Sequence, residues 1–338
     1  MSDAPTSRWS THQLLPPTLV FLAALCATVA IAAPTILAPQ LARISLDTNL
    51  VSTAASTTPV VTLDRCSLDR PMAAMLPPRM LLRSQRVVVV RPADRRIATL
   101  QAGTVVRRDA TTTAGCTDPV LIASVDRVTV DRTTAVPVGP ASIQTDSTRP
   151  AAVLPDRIGI TYLFAPQSRR NTAVRFFDPV TRRSVPLVPT GTDTVNGLDL
   201  TRLRADIPDT NLAALPGADP RTRLTKPASW FGWPGGIVTA EVHQRGSYTL
   251  WVDERSGLIV DATISLSREY RAGAQRLPEF DATLRYDAKT RASLAEAARS
   301  QSRPAWLAGR IVPLIAGIAA LCAAAGAWAI RRRPGRSA

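Results

Sequence analysis

The chain has 338 residues, 45% of them hydrophobic, and a formal net charge of +15. That length leaves room for one large domain or two small ones between apolar ends. The charge suits anionic lipid headgroups or acidic envelope polymers as neighbours, or an arginine-rich soluble surface with no partner at all, and the lack of any nucleic-acid-binding motif excludes nucleic acid.

Residues 1–13 form a polar tail. From Leu14 to Ala38 no charge occurs, which predicts a first membrane segment over 14–38, interrupted by Pro34 near its outer end. A cleaved signal peptide is the alternative, because Ala30, Ile31 and Ala32 before Ala33 resemble a small-residue cleavage site. Between Arg43 and Thr58 the chain is rich in Ser and Thr and reads as a solvated exit from the membrane. A β-rich external domain is expected over 43–303.

In that domain, Val60–Leu63 reads as the first strand. Val87–Val90, a turn through Arg91, Pro92, Ala93 and Asp94, and Ile97–Leu100 form a strand, turn and strand. Thr104–Arg108, Val120–Ala123 and Asp126–Asp131 continue the pattern, and the Pro-rich stretch Val136–Pro150 could divide the domain into two lobes. Gly159–Phe164 reads as a strand. Ala173–Phe177 then enters a turn from Asp178 to Arg183 and leaves along Ser184–Val188. Leu200–Ala205 follows, and a Pro-rich loop ends in Trp230, Phe231, Gly232 and Trp233. Three aromatics among glycines cannot sit regularly in a central strand; either they plug the open side of the sheet or they form an exposed apolar tip facing lipid. Tyr248–Val252 meets a turn of Asp253 to Gly257, and Leu258–Tyr270 leaves it. Along this last strand Leu258, Val260, Ala262, Ile264 and Leu266 share one face, and Asp261, Thr263, Ser265, Ser267 and Glu269 the other, predicting one dry face and one wet. Strand, acidic turn and strand recurs, so the fold class is mainly β (α+β): an antiparallel sheet flanked by two membrane helices.

Residues 287–303 read as a helix with Asp287 as N-cap, broken by Pro304. A second membrane helix is expected over 306–330. Its uncharged core, Ile311 to Ile330, reaches ~30 Å at about 1.5 Å per residue, the thickness of a bilayer's hydrocarbon. It stops at Arg331, Arg332 and Arg333, and such clusters mark the cytoplasmic side. The basic tail 331–338 and residues 1–13 are therefore placed in the cytoplasm and the β-rich domain beyond the plasma membrane. In that oxidising compartment Cys66 and Cys116 read most simply as one disulfide. Closing a loop of about 50 residues would stabilise by ~4 kcal/mol on the chain-entropy model.

Catalytic chemistry finds little support. Outside the membrane the chain has only His243 as a possible imidazole base, and no G-x-S-x-G, H-E-x-x-H or Walker pattern occurs. No cofactor is expected, and two thiols with one imidazole are too few for a metal site. Asp178, Asp253 and Glu254 could serve a carboxylate-dependent enzyme, although solvated turn residues are their default. A pore is a further alternative. Several strands carry arginine or aspartate where a membrane barrel needs an apolar band, and neither helix has a polar stripe to line a channel.

Phe176, Phe177, Asp178 and Pro179, with Val185, Pro186, Gly191, Val195, Gly197, Leu198, Ile207 and Pro208, resemble an actinobacterial two-span cell-envelope family of unknown function, also known as PorA-like porins. Leu250, Trp251, Val252 and Asp253 with Ser256, Gly257, Leu258, Ile259 and Val260 are similar to that family's most recognisable stretch. The resemblance implies a cell-envelope role, in some members connected with maturation of mannose-containing lipoglycans. It supplies no catalytic residues. The Asp253–Gly257 turn and the Val195-x-Gly197 step also resemble the lipoprotein-carrier (LolA-like) class, a curved antiparallel half-barrel. On that resemblance Val260, Ala262, Ile264 and Leu266 line either a packed core or a groove for lipid, and a groove would need some hundreds of Å³. The expectation is a non-enzymatic membrane protein that binds or helps to handle a lipid, glycolipid or lipoglycan of the envelope, with envelope-synthesis proteins as possible partners.

Overall fold

The computed structural model describes residues 11–109, 119–166 and 174–332. The chain divides into two compact units, Met1–Arg43 with Ser300–Ala338, and Ile44–Arg299.

The first unit is a helical hairpin. Helix α1 (Thr11–Ala32) passes through a π turn at Ala33–Leu37 into α2 (Ala38–Leu41), so Pro34 widens the helix by one turn without ending it. Helix α3 (Ala288–Trp306) continues through a second π turn, Leu307–Ile311, into α4 (Val312–Arg332). Leu15–Leu41 and part of Ala288–Arg332 are long and apolar enough to cross a membrane. The expected break at Pro304 does not occur. Proline there deletes one backbone hydrogen bond, and the helix runs on. Small residues form the seam of the hairpin: Ala305, Ala308, Ala316, Ala323 and Ala327 are buried. A methyl group on Gly309 would touch Ala38, and one on Gly326 would touch Leu19. Such residues let two helix backbones approach closely, which is the main source of helix association where solvent and side chains are equally apolar.

The second unit is an open antiparallel sheet. Its strands in chain order are β1 (Asn49–Ser56), β2 (Val60–Leu63), β3 (Met75–Arg79), β4 (Leu81–Ala93), β5 (Ile97–Arg108), β6 (Val120–Asp131), β7 (Ala141–Gln144), β8 (Ala152–Leu154), β9 (Arg175–Asp178), β10 (Arg183–Pro186), β11 (Val188–Val195), β12 (Leu198–Asn211), β13 (Arg223–Pro227), β14 (Ile237–Val252), β15 (Ile259–Ala272) and β16 (Gln275–Tyr286). Twelve of them form one sheet in the order β11-β12-β14-β15-β16-β1-β4-β5-β6-β7-β8, with β13 beside β14; β9 with β10 and β2 with β3 are separate pairs. The edges β11 and β8 do not meet, so the sheet is not closed.

Strand β1 joins two meanders, β4 to β8 on one side and β11 to β16 on the other. The stretch read as a solvated exit is thus the middle of the sheet. Ser52, Ala54 and Ser56 alternate as its buried face, and their small side chains carry too little hydrophobicity to mark a strand by pattern. Strand β7 pairs with β6 inside the stretch 136–150, which ties the two expected lobes into one sheet. Gly159–Phe164 is not a strand. It makes one bridge, Ile160 to Phe176, and its Tyr162, Leu163 and Phe164 are buried as filling under the sheet.

The acidic turns share one construction. Asp253 accepts hydrogen bonds from the Ser256 amide and hydroxyl, and Gly257 follows with φ of 76°. Asp178 accepts from the Thr181 amide and hydroxyl, with Arg182 at φ of 55°. Asp131 accepts from the amides and hydroxyls of Thr133 and Thr134, with Ala135 at φ of 58°. An Asx cap followed by one left-handed residue turns the chain back, and only glycine takes that residue without steric cost. Strand β15 then departs from the predicted alternation. A bulge at Trp251/Val252 shifts its register, so Leu258 and Val260 join one core cluster and Ala262, Ile264 and Leu266 another. Asp261, placed on the wet face by pattern, is fully buried against Arg285, with Arg291 of α3 at 3.8 Å.

Helix α3 starts where predicted. The Asp287 carboxylate accepts from the Thr290 amide at 2.6 Å. The helix docks on β1, with the Thr53 amide donating to the Thr290 hydroxyl and Leu294, Ala295 and Ala298 buried beneath.

A Cβ added to Gly257 would lie 2.1 Å from the Phe164 carbonyl oxygen, whereas one on Gly273, also left-handed, meets nothing within 4 Å. Gly273→Ala should cost about 1–2 kcal/mol for the backbone alone. Gly257→Ala should cost clearly more, read as a larger fall in the denaturant midpoint, and equal losses would mean that the Phe164 segment does not pack on this turn.

Candidate functional site

The aromatic loop is built into the second unit. Trp230 and Phe231 are buried and Trp233 is half-buried. Pro227 leads into a short 3-10 turn at Ala228–Phe231, and Gly232 follows at φ of 75°. Phe231 meets Trp230 edge-on at 4.8 Å and stacks on Trp233 at 4.4 Å. The Trp230 indole N–H lies within hydrogen-bonding distance of the carbonyls of Ser67 and Arg70, at 3.1 and 3.0 Å. This fastens the loop to the segment that carries Cys66. Cys66 is not a free thiol; Cys116 lies outside the described residues, and Cys26 and Cys322 are free.

Val260, Ala262, Ile264 and Leu266 are all buried. Leu250, Tyr248 and Leu284 pack with the last three, and Phe164, Phe176, Val185 and Leu187 complete the cluster. These four aromatic and branched side chains arrive from the β9–β10 hairpin and its flanks, which occupy the space a lipid groove would need. A cavity of about 50 Å³ remains beside Asp178, Tyr248 and Tyr286, against the hundreds of Å³ typical of a ligand pocket.

Sequence reasoning missed a buried polar seam. Asp126 on β6 accepts two hydrogen bonds from Arg157 Nη1, at 2.7 and 2.8 Å, and one from the Tyr162 hydroxyl. Arg157 Nη2 donates to Thr161, which donates to the Phe177 carbonyl, and the guanidinium lies 4.3 Å from the Phe177 ring centroid. Next along the chain, Asp178 accepts from the Tyr248 hydroxyl at 2.8 Å. Burial, then the neighbouring Asp126 or Asp178 carboxylate, pushes both tyrosines well above the ordinary phenol range. They stay neutral donors. The seam holds Arg157, Tyr162 and Asp178 to the sheet, and Asp126 bears no sequence mark of its burial.

The candidate chemical groups are spread apart. His243 sits 2.9 Å from Asp209, whose carboxylate also receives a two-pronged contact from Arg271 at 2.7 Å. Burial pushes Asp209 up, yet the hydrogen bonds from His243 and Arg271 hold it below the ordinary carboxylate range. Asp178 and Asp253 are spent on capping their own turns, and Glu254 accepts from the Thr201 hydroxyl at 2.5 Å. Among the described residues no cluster of three His, Cys, Asp or Glu side chains could hold a metal ion.

Trp230→Ala should lower stability by about 3–5 kcal/mol, as large core truncations do, and Trp233→Ala by markedly less. Thermal unfolding of both variants decides it, and an unchanged midpoint in Trp230→Ala would contradict its role as an anchor.

Comparison with known proteins matches residues 15–329 to the family described as Porin PorA. The chain is 25% identical over 373 aligned positions to a protein named Porin PorA from Corynebacterium amycolatum, an alignment that covers 90% of this chain and 94% of that one. Nearly all of both apolar helices and the whole β unit lie within the matched region, and the chain belongs to the porin PorA family of membrane proteins.

Proposed function

We propose that this chain is a two-span envelope protein with a porin-like function, in which α1 and α4 cross the plasma membrane, both termini are cytoplasmic and Ile44–Arg299 lies outside. The carrying observation is the extent of the family match, which takes in the membrane helices together with the β unit. The porin name belongs to the Corynebacterium relative, and its transfer to this chain is our reading. Passage of solute would require several copies. The sheet is open, and β4 and β12 carry arginines, among them Arg83, Arg86, Arg202 and Arg204, which a lipid-facing barrel wall disfavours. Two helices cannot enclose a column of water. The exposed apolar side chains of the hairpin, such as Phe21, Ile31, Leu314 and Leu321, suit lipid or neighbouring hairpins.

Carriage of a whole lipid or lipoglycan draws less support, because the core is filled where the groove was expected. Recognition of a headgroup is compatible with the surface charge. We read the chain as non-catalytic and pair Cys66 with Cys116 as a disulfide of the external unit.

Purified full-length protein reconstituted in planar bilayers should produce discrete conductance steps whose frequency rises more than linearly with protein concentration. Folded protein that never conducts would overturn the porin reading. Location is tested separately with Val153→Cys, an exposed position on β8. In spheroplasts a membrane-impermeant maleimide should label it directly and should label Cys66 and Cys116 only after reduction. Labelling of Val153→Cys confined to lysed cells would reverse the orientation, and labelling of Cys66 without reductant would remove the disulfide.

A further inference from the structure

A cavity of about 70 Å³ opens between β6, the β9–β10 turn, the 212–222 loop and the facing strands β15 and β16. Four arginines line it, and three of them converge from separate elements: Arg65 from the short turn after β2, Arg182 from the left-handed corner of the β9–β10 turn, and Arg268 from β15. Two of them, Arg65 and Arg268, share one carboxylate. Glu279 on β16 lies 3.2 Å from Arg65 Nη2 through one oxygen and 3.0 Å from Arg268 Nε through the other. Arg221 and Asp219 also border the cavity and are bonded to each other.

The remaining charge is uncompensated. The Arg268 side chain is 7% exposed, and its buried Nε, although 3.0 Å from Glu279, makes no aligned hydrogen bond. Arg182 donates through Nη1 to the Pro216 carbonyl, its Nε is buried without an acceptor, and no carboxylate among the described residues pairs with it. Burial lowers the Arg182 pKa from its ordinary value, but a guanidinium does not give up its proton in a protein. With Arg221 and Asp219 cancelling each other, three cations facing one anion leave an excess of two positive charges in a small recess, and charge held partly away from water is costly unless an anion or water meets it.

We propose that this recess is a binding site for a single phosphate group, held between Arg65, Arg182 and Arg268. Phosphate fits better than carboxylate because three forks approach from three different elements, which suits a tetrahedral anion with several acceptor oxygens, and the excess charge matches a dianion. The volume admits the phosphate alone, so any sugar or lipid attached to it would remain outside. The site does not depend on the porin reading, since a chain that conducts nothing can still bind here.

The test uses full-length protein in a nonionic detergent at low salt. Inorganic phosphate should raise the unfolding temperature in a saturable manner, and Arg182→Gln should weaken the apparent affinity about tenfold or more, as expected for loss of a charge-assisted contact. Arg182 lies in a turn, so this variant decides the matter even if Arg268→Gln fails to fold. A parallel measurement follows binding to zwitterionic vesicles with and without phosphatidic acid. Saturable binding of free phosphate that Arg182→Gln weakens supports the site and a soluble source, and Arg182-dependent binding of phosphatidic acid vesicles alone supports it with a lipid headgroup as the source. Binding of either probe that is indifferent to Arg182→Gln, or no binding of either by folded wild-type protein, overturns the proposal.

Discussion

The architecture depends on the pairing of β1 with β16. The strand that follows the first apolar helix lies directly beside the strand that precedes the last one, with Ala54 opposite Tyr286 and Ser56 opposite Leu284. Because the two run antiparallel, the chain enters and leaves the sheet at the same end of two adjacent strands. A loop of more than two hundred residues is closed by this contact, and closure at the sheet leaves little further entropy to be lost when α1 and α4 meet. Strand β1 also pairs with β4 along seven residues, so one short strand holds both meanders and the chain's two exits. On its buried face the side chains, Ser52, Ala54 and Ser56, are all small.

Charge is handled differently at the surface and inside. The formal surplus of +15 is not spread evenly over solvent-facing strands: several arginines are drawn inward and met by single carboxylates, Arg157 by Asp126, and Arg65 and Arg268 by Glu279. Buried pairs of this kind add little net stability over apolar packing, while removal of one partner is strongly destabilising. They act as fixed points. Arg157 with Asp126 ties the start of the segment after β8 to β6, and Arg65 with Glu279 ties the turn after β2 to β16.

Much of the fold could be read from residues alone. The antiparallel class, the terminal apolar helices, the family, the Asp178 and Asp253 turns and the Asp287 cap all rest on local chemistry, such as side-chain oxygens bonding nearby amides and runs of uncharged residues. What escaped depends on distant partners. Strand β1 has no apolar alternation to reveal it. Asp261 lies on the polar side of a regular pattern and is buried only because α3 returns over it. Val260 leaves the cluster of Ala262 because of a bulge set by the partner strand. The arginine-lined recess draws its walls from strands and loops more than two hundred residues apart in sequence, and no linear spacing could announce it.

The two π turns lie against each other across the helical hairpin, Ala33–Leu37 opposite Leu307–Ile311. A π turn behaves as one residue slipped into an α-helix, and each residue advances the helix by about 100°. The exposed and partner-facing sides of each helix therefore change places partly at this level, and they do so in both helices together. Shortening one helix by a residue here would twist its upper half out of phase with its companion; shortening both would restore the match. Length changes in this hairpin should be tolerated in pairs, and an evolutionary record of the region would then be written as coupled insertions and deletions.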